Sequence, residues 1–260
     1  MKNKVALQLY TVRDYCTEDL FGTLRKAKEI GYSAVEFAGF YDHKPADIKI
    51  VLEELQLQVA GLHVSYQVLL HETASIVDAA NILGTKNVVL AVIPNELRDE
   101  AGYRQVKGEL QSLSEQLKAE GIRLSYHNHA FEFETLVDSK YALSYLLDAE
   151  DSPNLYAEVD VFWVKKAGTE ILSYIHNYKD RMPIMHLKDM SHNQEHYDVP
   201  IGTGSIDFIP ILQWGEQYGV EWYVIEQDNC RFDAMESVKL SYDNLMSIIN
   251  SLEDKEANHE

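Results

Sequence analysis

Glycine placement constrains this chain more than any other feature. Four stretches, KEIGYSAVEF, NILGTKNVVL, KAEGIRLSYH and EQYGVEWYVIE, share one grammar. In each, a helix-like run stops at Gly31, Gly84, Gly121 or Gly219, a few residues follow, and a β-branched or aromatic run begins. The residue that ends a helix often takes positive φ, which glycine adopts without a Cβ penalty. The run that follows is apolar without clean alternation, as expected for a short strand buried on both faces.

Extending the rule gives eight strands, at 5–9, 34–37, 59–63, 87–91, 123–127, 155–158, 183–187 and 222–226. Helical patterns lie between and after them, at 20–30, 46–55, 73–83, 103–119, 141–147, 170–178, 208–218 and 237–252. Each unit is about 30 residues, the length of a βα unit. Eight such units imply a parallel sheet closed on itself, a single (β/α)8 TIM barrel over residues 1–252, with a charged C-terminal tail at 253–260. The rival, an open doubly wound sheet, would carry a glycine-rich phosphate turn after its first strand. Here that strand runs into LQLYTVRDYC, which has no such turn.

Composition narrows the partners. The chain carries 23 Lys+Arg against 42 Asp+Glu, a net charge of −19, which repels phosphate backbones and argues against nucleic acid. No apolar run is long enough to span a membrane, and the start, MKNKVALQLYTVRD, does not read as a secretory signal. Cys16 and Cys230 form neither a disulfide framework nor a metal pair. The expectation is a cytoplasmic protein acting on a small molecule. The aromatic segment GFYDHKP would serve a homodimer contact or a lid equally well.

In such a barrel the active site lies at the C-terminal ends of the strands. Those ends hold Gln8 and Tyr10, Glu36, His63, His127 with Asn128 and His129, Glu158 and Asp160, His186 and Lys188, and Glu226 with Asp228. Alternate residues of a strand share a side, so His127 and His129, or Glu158 and Asp160, can face one space. A single carboxylate at a strand end is as readily a helix cap or the partner of a neighbouring cation. His127, Asp160, His186 and Glu226, however, arise on four different strands and converge only in this fold. Buried imidazoles and carboxylates need partners, and a divalent ion such as Mn²⁺, Zn²⁺, Co²⁺ or Mg²⁺ supplies one.

At these residues the sequence resembles the sugar phosphate isomerase/epimerase family, the xylose isomerase-like TIM barrels. The resemblance is carried by LQLYTVRD, YHNHAFEF, EVDVFWVKKAG, HLKDM, GTGSIDF and VIEQD, and it covers nearly the whole chain. It implies one divalent metal, with Asp160, His186 and Glu226 in ligand positions and His127 standing where many members carry Glu. It also puts His129 where the family places a substrate or proton-transfer histidine. The expected activity is isomerisation or epimerisation of a carbohydrate through an enediolate. Glu158 and His129 would be the acid and base, and Lys188 would steady the oxyanion. Tyr10, Glu36, His63 and Trp163 would hold the substrate. The alternatives are a dehydratase or lyase of a keto-sugar or keto-glycoside, and a non-catalytic carbohydrate-binding barrel. In GTGSIDF, Gly202 and Gly204 allow a turn close to a ligand and Asp207 can cap the next helix.

Overall fold

The computed structural model describes residues 1–257. Eight parallel strands close into a barrel: β1 (Val5–Gln8), β2 (Ala34–Phe37), β3 (Gln58–Val64), β4 (Asn87–Leu90), β5 (Arg123–His127), β6 (Leu155–Asp160), β7 (Ile184–Leu187) and β8 (Trp222–Ile225). Neighbours in sequence are neighbours in space, and β8 closes on β1 through Val5 opposite Tyr223 and Leu7 opposite Ile225. The eight expected strands are therefore present, each within three residues of its expected bounds.

Helices return the chain between strands, including Arg13–Ile30, Pro45–Leu55, Thr73–Leu83, Glu100–Ala119, Phe208–Gln217 and Ala234–Ala257. The glycines that end four of these runs have φ values of 125°, 80°, 76° and 80° at Gly31, Gly84, Gly121 and Gly219. The last helix continues to Ala257, into the segment expected as a tail, and residues 258–260 lie outside the described residues. Two short helices were not legible in the sequence: Tyr66–His71 after β3 and Val161–Lys166 directly on the end of β6. Short antiparallel ladders join Leu136–Val137 to Lys140–Tyr141, and Asp189–Met190 to Asp198–Val199.

Two apolar regions hold the barrel. The larger packs the outward faces of the strands, such as Leu7, Val35 and Leu124, against the helices. The smaller fills the barrel's interior with Ala6, Ala34, Ala60, Val89, Ile184 and Val224. Because strand side chains alternate, the residues two positions further along face the same interior, nearer the mouth. They are Gln8 above Ala6, Glu36 above Ala34, His186 above Ile184 and Glu226 above Val224, all buried. An apolar floor thus carries a polar layer. In GFYDHKP, Phe40 and Tyr41 pack against the chain's own core, and the His43 ring lies 4.4 Å from Phe21. Among the described residues, no helix is long and apolar enough to cross a membrane. Both cysteines are free.

Candidate active site at the barrel mouth

Glu158 stands at the centre of the polar layer. Its Oε1 lies 2.6 Å from His63 Nε2, 3.1 Å from His127 Nδ1 and 3.1 Å from His186 Nε2, while its Oε2 is buried with no hydrogen-bond partner. Glu36 Oε2 lies 2.7 Å from His186 Nε2 and accepts from Gln8 Nε2 at 2.9 Å, and its Oε1 is likewise unpartnered. Gly61 of β3 makes room for this carboxylate, since a Cβ there would lie 2.5 Å from Glu36 Oε1. His186 turns its other nitrogen, Nδ1, to Glu226 Oε2 at 2.9 Å. The His63 and His186 rings stack at 5.3 Å.

Lys188 occupies the other half of the layer. Its fully buried ammonium lies 2.9 Å from Asp160 Oδ2, 3.1 Å from Glu226 Oε2 and 2.9 Å from Asp228 Oδ2. Asp160 also caps the helix Val161–Lys166 by accepting from the Phe162 N–H at 2.9 Å. The neighbouring strand fixes it further, because Asn128 Oδ1 accepts from the Asp160 N–H at 3.0 Å.

Electrostatics follow from this pairing. Burial disfavours the imidazolium of His63, but the Glu36 and Glu158 carboxylates outweigh burial and push its pKa up to about 10. His186 is raised in the same way, by Glu158, Glu36 and Glu226 against burial. Burial works against the charge on Glu158 too, yet His186 and His63 hold it well below the usual carboxylate range. His129 differs. Burial, with His127 and Lys188 beside it, lowers it well below the usual imidazole value, so its ring is neutral at pH 7. Its Nδ1 is buried without a partner, and its ring stacks on Phe131 at 5.2 Å.

A cavity of 610 Å³ opens over this layer. Of the expected site residues, Tyr10, His63, His127, His129, Trp163 and Glu226 line it. Glu36, Glu158, Asp160, His186 and Lys188 are fully buried and do not line it. Two ligand sets have their donor atoms within 4.8 Å of one another: His127, Asp160, His186 and Glu226, the expected set, and His63, His127, Glu158 and His186.

Arg13 was not singled out from the sequence. Arg13 lies inside LQLYTVRD, lines the cavity, and donates to the backbone oxygens of Tyr10 at 2.8 Å and Asp228 at 3.1 Å. Its signal was the motif itself. Glu132, in YHNHAFEF, accepts from the Tyr126 hydroxyl at 2.9 Å and from the His129 N–H at 2.8 Å, which fixes the backbone under His129. The glycine loop also has a use the sequence did not disclose. Asp189 accepts from the N–H groups of Gly202, Gly204 and Ile206 at 2.9–3.0 Å and of Met190 at 2.8 Å, so the close approach is to Asp189. Asp207 caps its helix as expected, accepting from the Ile209 N–H at 3.1 Å.

Known proteins share this architecture. An inosose dehydratase from Geobacillus kaustophilus (strain HTA426) is 24% identical over 239 residues, with 76% of each chain covered. A sugar phosphate isomerase/epimerase from Parabacteroides distasonis ATCC 8503 superposes with a TM-score of 0.79 at 19% identity, covering 94% of this chain and 93% of that one. The IOLI protein, solved with a bound zinc atom, gives a TM-score of 0.72 at 15% identity over 96% and 99% of the two chains. The family model described as Xylose isomerase-like TIM barrel matches residues 24–244. Closed barrel, strand-end motifs and family match agree: the chain belongs to the xylose isomerase-like TIM barrel family.

Proposed function

We propose that this protein is a metal-dependent carbohydrate isomerase or epimerase that removes a proton from the carbon next to a carbonyl, through an enediolate. One observation carries the reading: His129, whose Nδ1 has no hydrogen-bond partner, lines the cavity beside His63 and His127, directly over a buried cluster of imidazoles and carboxylates.

The cluster fits a divalent cation. Its donors are imidazole nitrogens and carboxylate oxygens, suited to Mn²⁺, Zn²⁺, Co²⁺ or Mg²⁺, and Glu158 Oε2 and Glu36 Oε1 are buried acceptors that lack a donor. His127 and His186 belong to both ligand sets, completed by Asp160 and Glu226 in one and by His63 and Glu158 in the other. The ion, when bound, supplies a Lewis acid that polarises the substrate's carbonyl oxygen.

The chain's own groups do the rest. His129 takes the proton, a role a general base fills best when neutral at working pH. Glu132 keeps it in place through the backbone N–H. Trp163 and Tyr10 offer flat faces to the C–H side of a sugar, and His63 offers a polar wall. Glu36 steadies His63 and His186 from below the cavity. Glu158 and Lys188 also act from below. Glu158 holds three imidazoles, and Lys188 balances Asp160 and Glu226 and so sets the field that an oxyanion meets.

The similarity to an inosose dehydratase favours a second reading, in which the same proton loss is followed by departure of a β-hydroxyl or alkoxyl group as in a dehydratase or lyase. Both readings are tested by incubating metal-loaded protein with a panel of keto-sugars and keto-glycosides in D₂O and following the protons by NMR. Deuterium replacing the α-proton supports the shared step, and release of water or an alcohol selects elimination. Turnover in which the α-hydrogen stays on its original carbon overturns both. Binding without exchange or turnover across the panel marks a carbohydrate-binding barrel instead.

A further inference from the structure

The two ligand sets differ in one respect: in only one do the carboxylates lie against a lysine ammonium. In the set of His127, Asp160, His186 and Glu226, both carboxylates lie against the Lys188 ammonium, Asp160 at 2.9 Å and Glu226 at 3.1 Å. Asp160 Oδ2 makes no hydrogen bond beside that ion pair, its second oxygen accepts from the Phe162 N–H, and Glu226 Oε2 also faces His186 Nδ1 at 2.9 Å. Asp228 closes this cage from the third side, 2.9 Å from Lys188. A dication placed among these oxygens would meet an ammonium with no exposure to water.

The other set contains no lysine. His63 Nε2, His127 Nδ1 and His186 Nε2 surround Glu158 Oε1 at 2.6–3.1 Å, and Glu158 Oε2 is buried with nothing to bond. His63 and His127 border the cavity, so an ion there stays within reach of a substrate. His186 is oriented for this role, because its Nδ1 is engaged by Glu226 and its Nε2 faces Glu36 at 2.7 Å and Glu158 at 3.1 Å. Ligating histidines are commonly aligned in this way by a carboxylate on the far nitrogen.

We propose that the divalent cation is held by His63, His127, Glu158 and His186, a three-imidazole, one-carboxylate site, and that Lys188 is a built-in cation filling the neighbouring cage of Asp160, Glu226 and Asp228. This rests on the metal-dependent reading above and names where in the mouth the ion sits. It also gives the histidine at the β5 position, His127, a purpose. A neutral ligand there suits a site in which Glu158 is the ligating carboxylate and Glu36 Oε2 already lies 2.7 Å from His186 Nε2.

The test is X-ray absorption on wild-type protein loaded with one equivalent of Zn²⁺, together with Co²⁺ titrations of two variants followed by their visible spectra. Three imidazoles and one carboxylate in the absorption fit support the assignment, whereas two imidazoles and two carboxylates overturn it. His63→Ala is expected to weaken Co²⁺ binding at least roughly 100-fold. Asp160→Asn, which keeps an oxygen for the Phe162 cap, is expected to stay within about threefold of wild type. The reverse order overturns the assignment while leaving metal dependence intact. Wild-type protein that binds neither ion overturns both. The absorption measurement needs no variant, so a His63→Ala protein that fails to fold does not shield the proposal.

Discussion

His129 and Glu132 show how little separates a catalytic histidine from one that only packs. His129 is buried beside His127 and Lys188, which keeps it neutral, and it lacks a partner for Nδ1. His129→Ala is therefore expected to lower the rate of α-proton exchange by about 10²- to 10⁴-fold with little change in substrate affinity, measured by NMR in D₂O. An unchanged rate would assign the proton transfer elsewhere. Glu132 gives a prediction in stability. Burial outweighs its bonds to Tyr126 and His129 and raises its pKa from an ordinary 4.5 to about 7. A carboxyl raised on folding contributes stability that is full below the ordinary value and lost as pH climbs through the folded one. The loss amounts to about 3 kcal/mol between roughly pH 4.5 and pH 7. Glu132→Gln does not titrate, so its Tm should gain on wild type across that window in thermal melts. A constant difference would contradict the burial argument.

Elements were legible where the chemistry is local. Gly31, Gly84, Gly121 and Gly219 take the positive φ that the helix ends require, so four strands could be placed from their punctuation and the other four by extending the same rule. The helix Val161–Lys166 was hidden because its start is a side-chain cap from Asp160, a residue that also reads as a ligand. The loop after β7 was hidden for a similar reason. GTGSIDF reads as a ligand turn, yet its N–H groups converge on Asp189, fifteen residues before Gly204 closes on it. A Cβ on Gly204 would lie 2.3 Å from the Met190 carbonyl oxygen and 2.4 Å from Asp189 Oδ1. Gly204→Ala is expected to lower Tm by roughly 5–10 °C, the consequence of overpacking by about 2–3 kcal/mol, read by differential scanning calorimetry. An unchanged Tm would mean that the loop is not held by Asp189.

At the scale of the molecule, the net charge of −19 divides into two kinds. Most acidic residues are solvated, but Glu36, Glu158, Asp160 and Glu226 are enclosed in the barrel. The sequence named all four because each ends a strand, and strand ends meet in a closed barrel. It could not divide them between Lys188 and an ion, since that division depends on distances across the mouth that no local pattern encodes. Membership of the cavity was equally out of reach: His129 follows the end of β5 and Glu158 sits on the neighbouring β6, yet only His129 faces the open space. Wild-type protein stripped with chelator and then offered Mn²⁺, Co²⁺ or Zn²⁺ tests the central claim most directly, with the bound ions counted by native mass spectrometry. The account predicts one ion per chain, with binding lost in His127→Ala and His186→Ala. A chain that takes up no ion would contradict it.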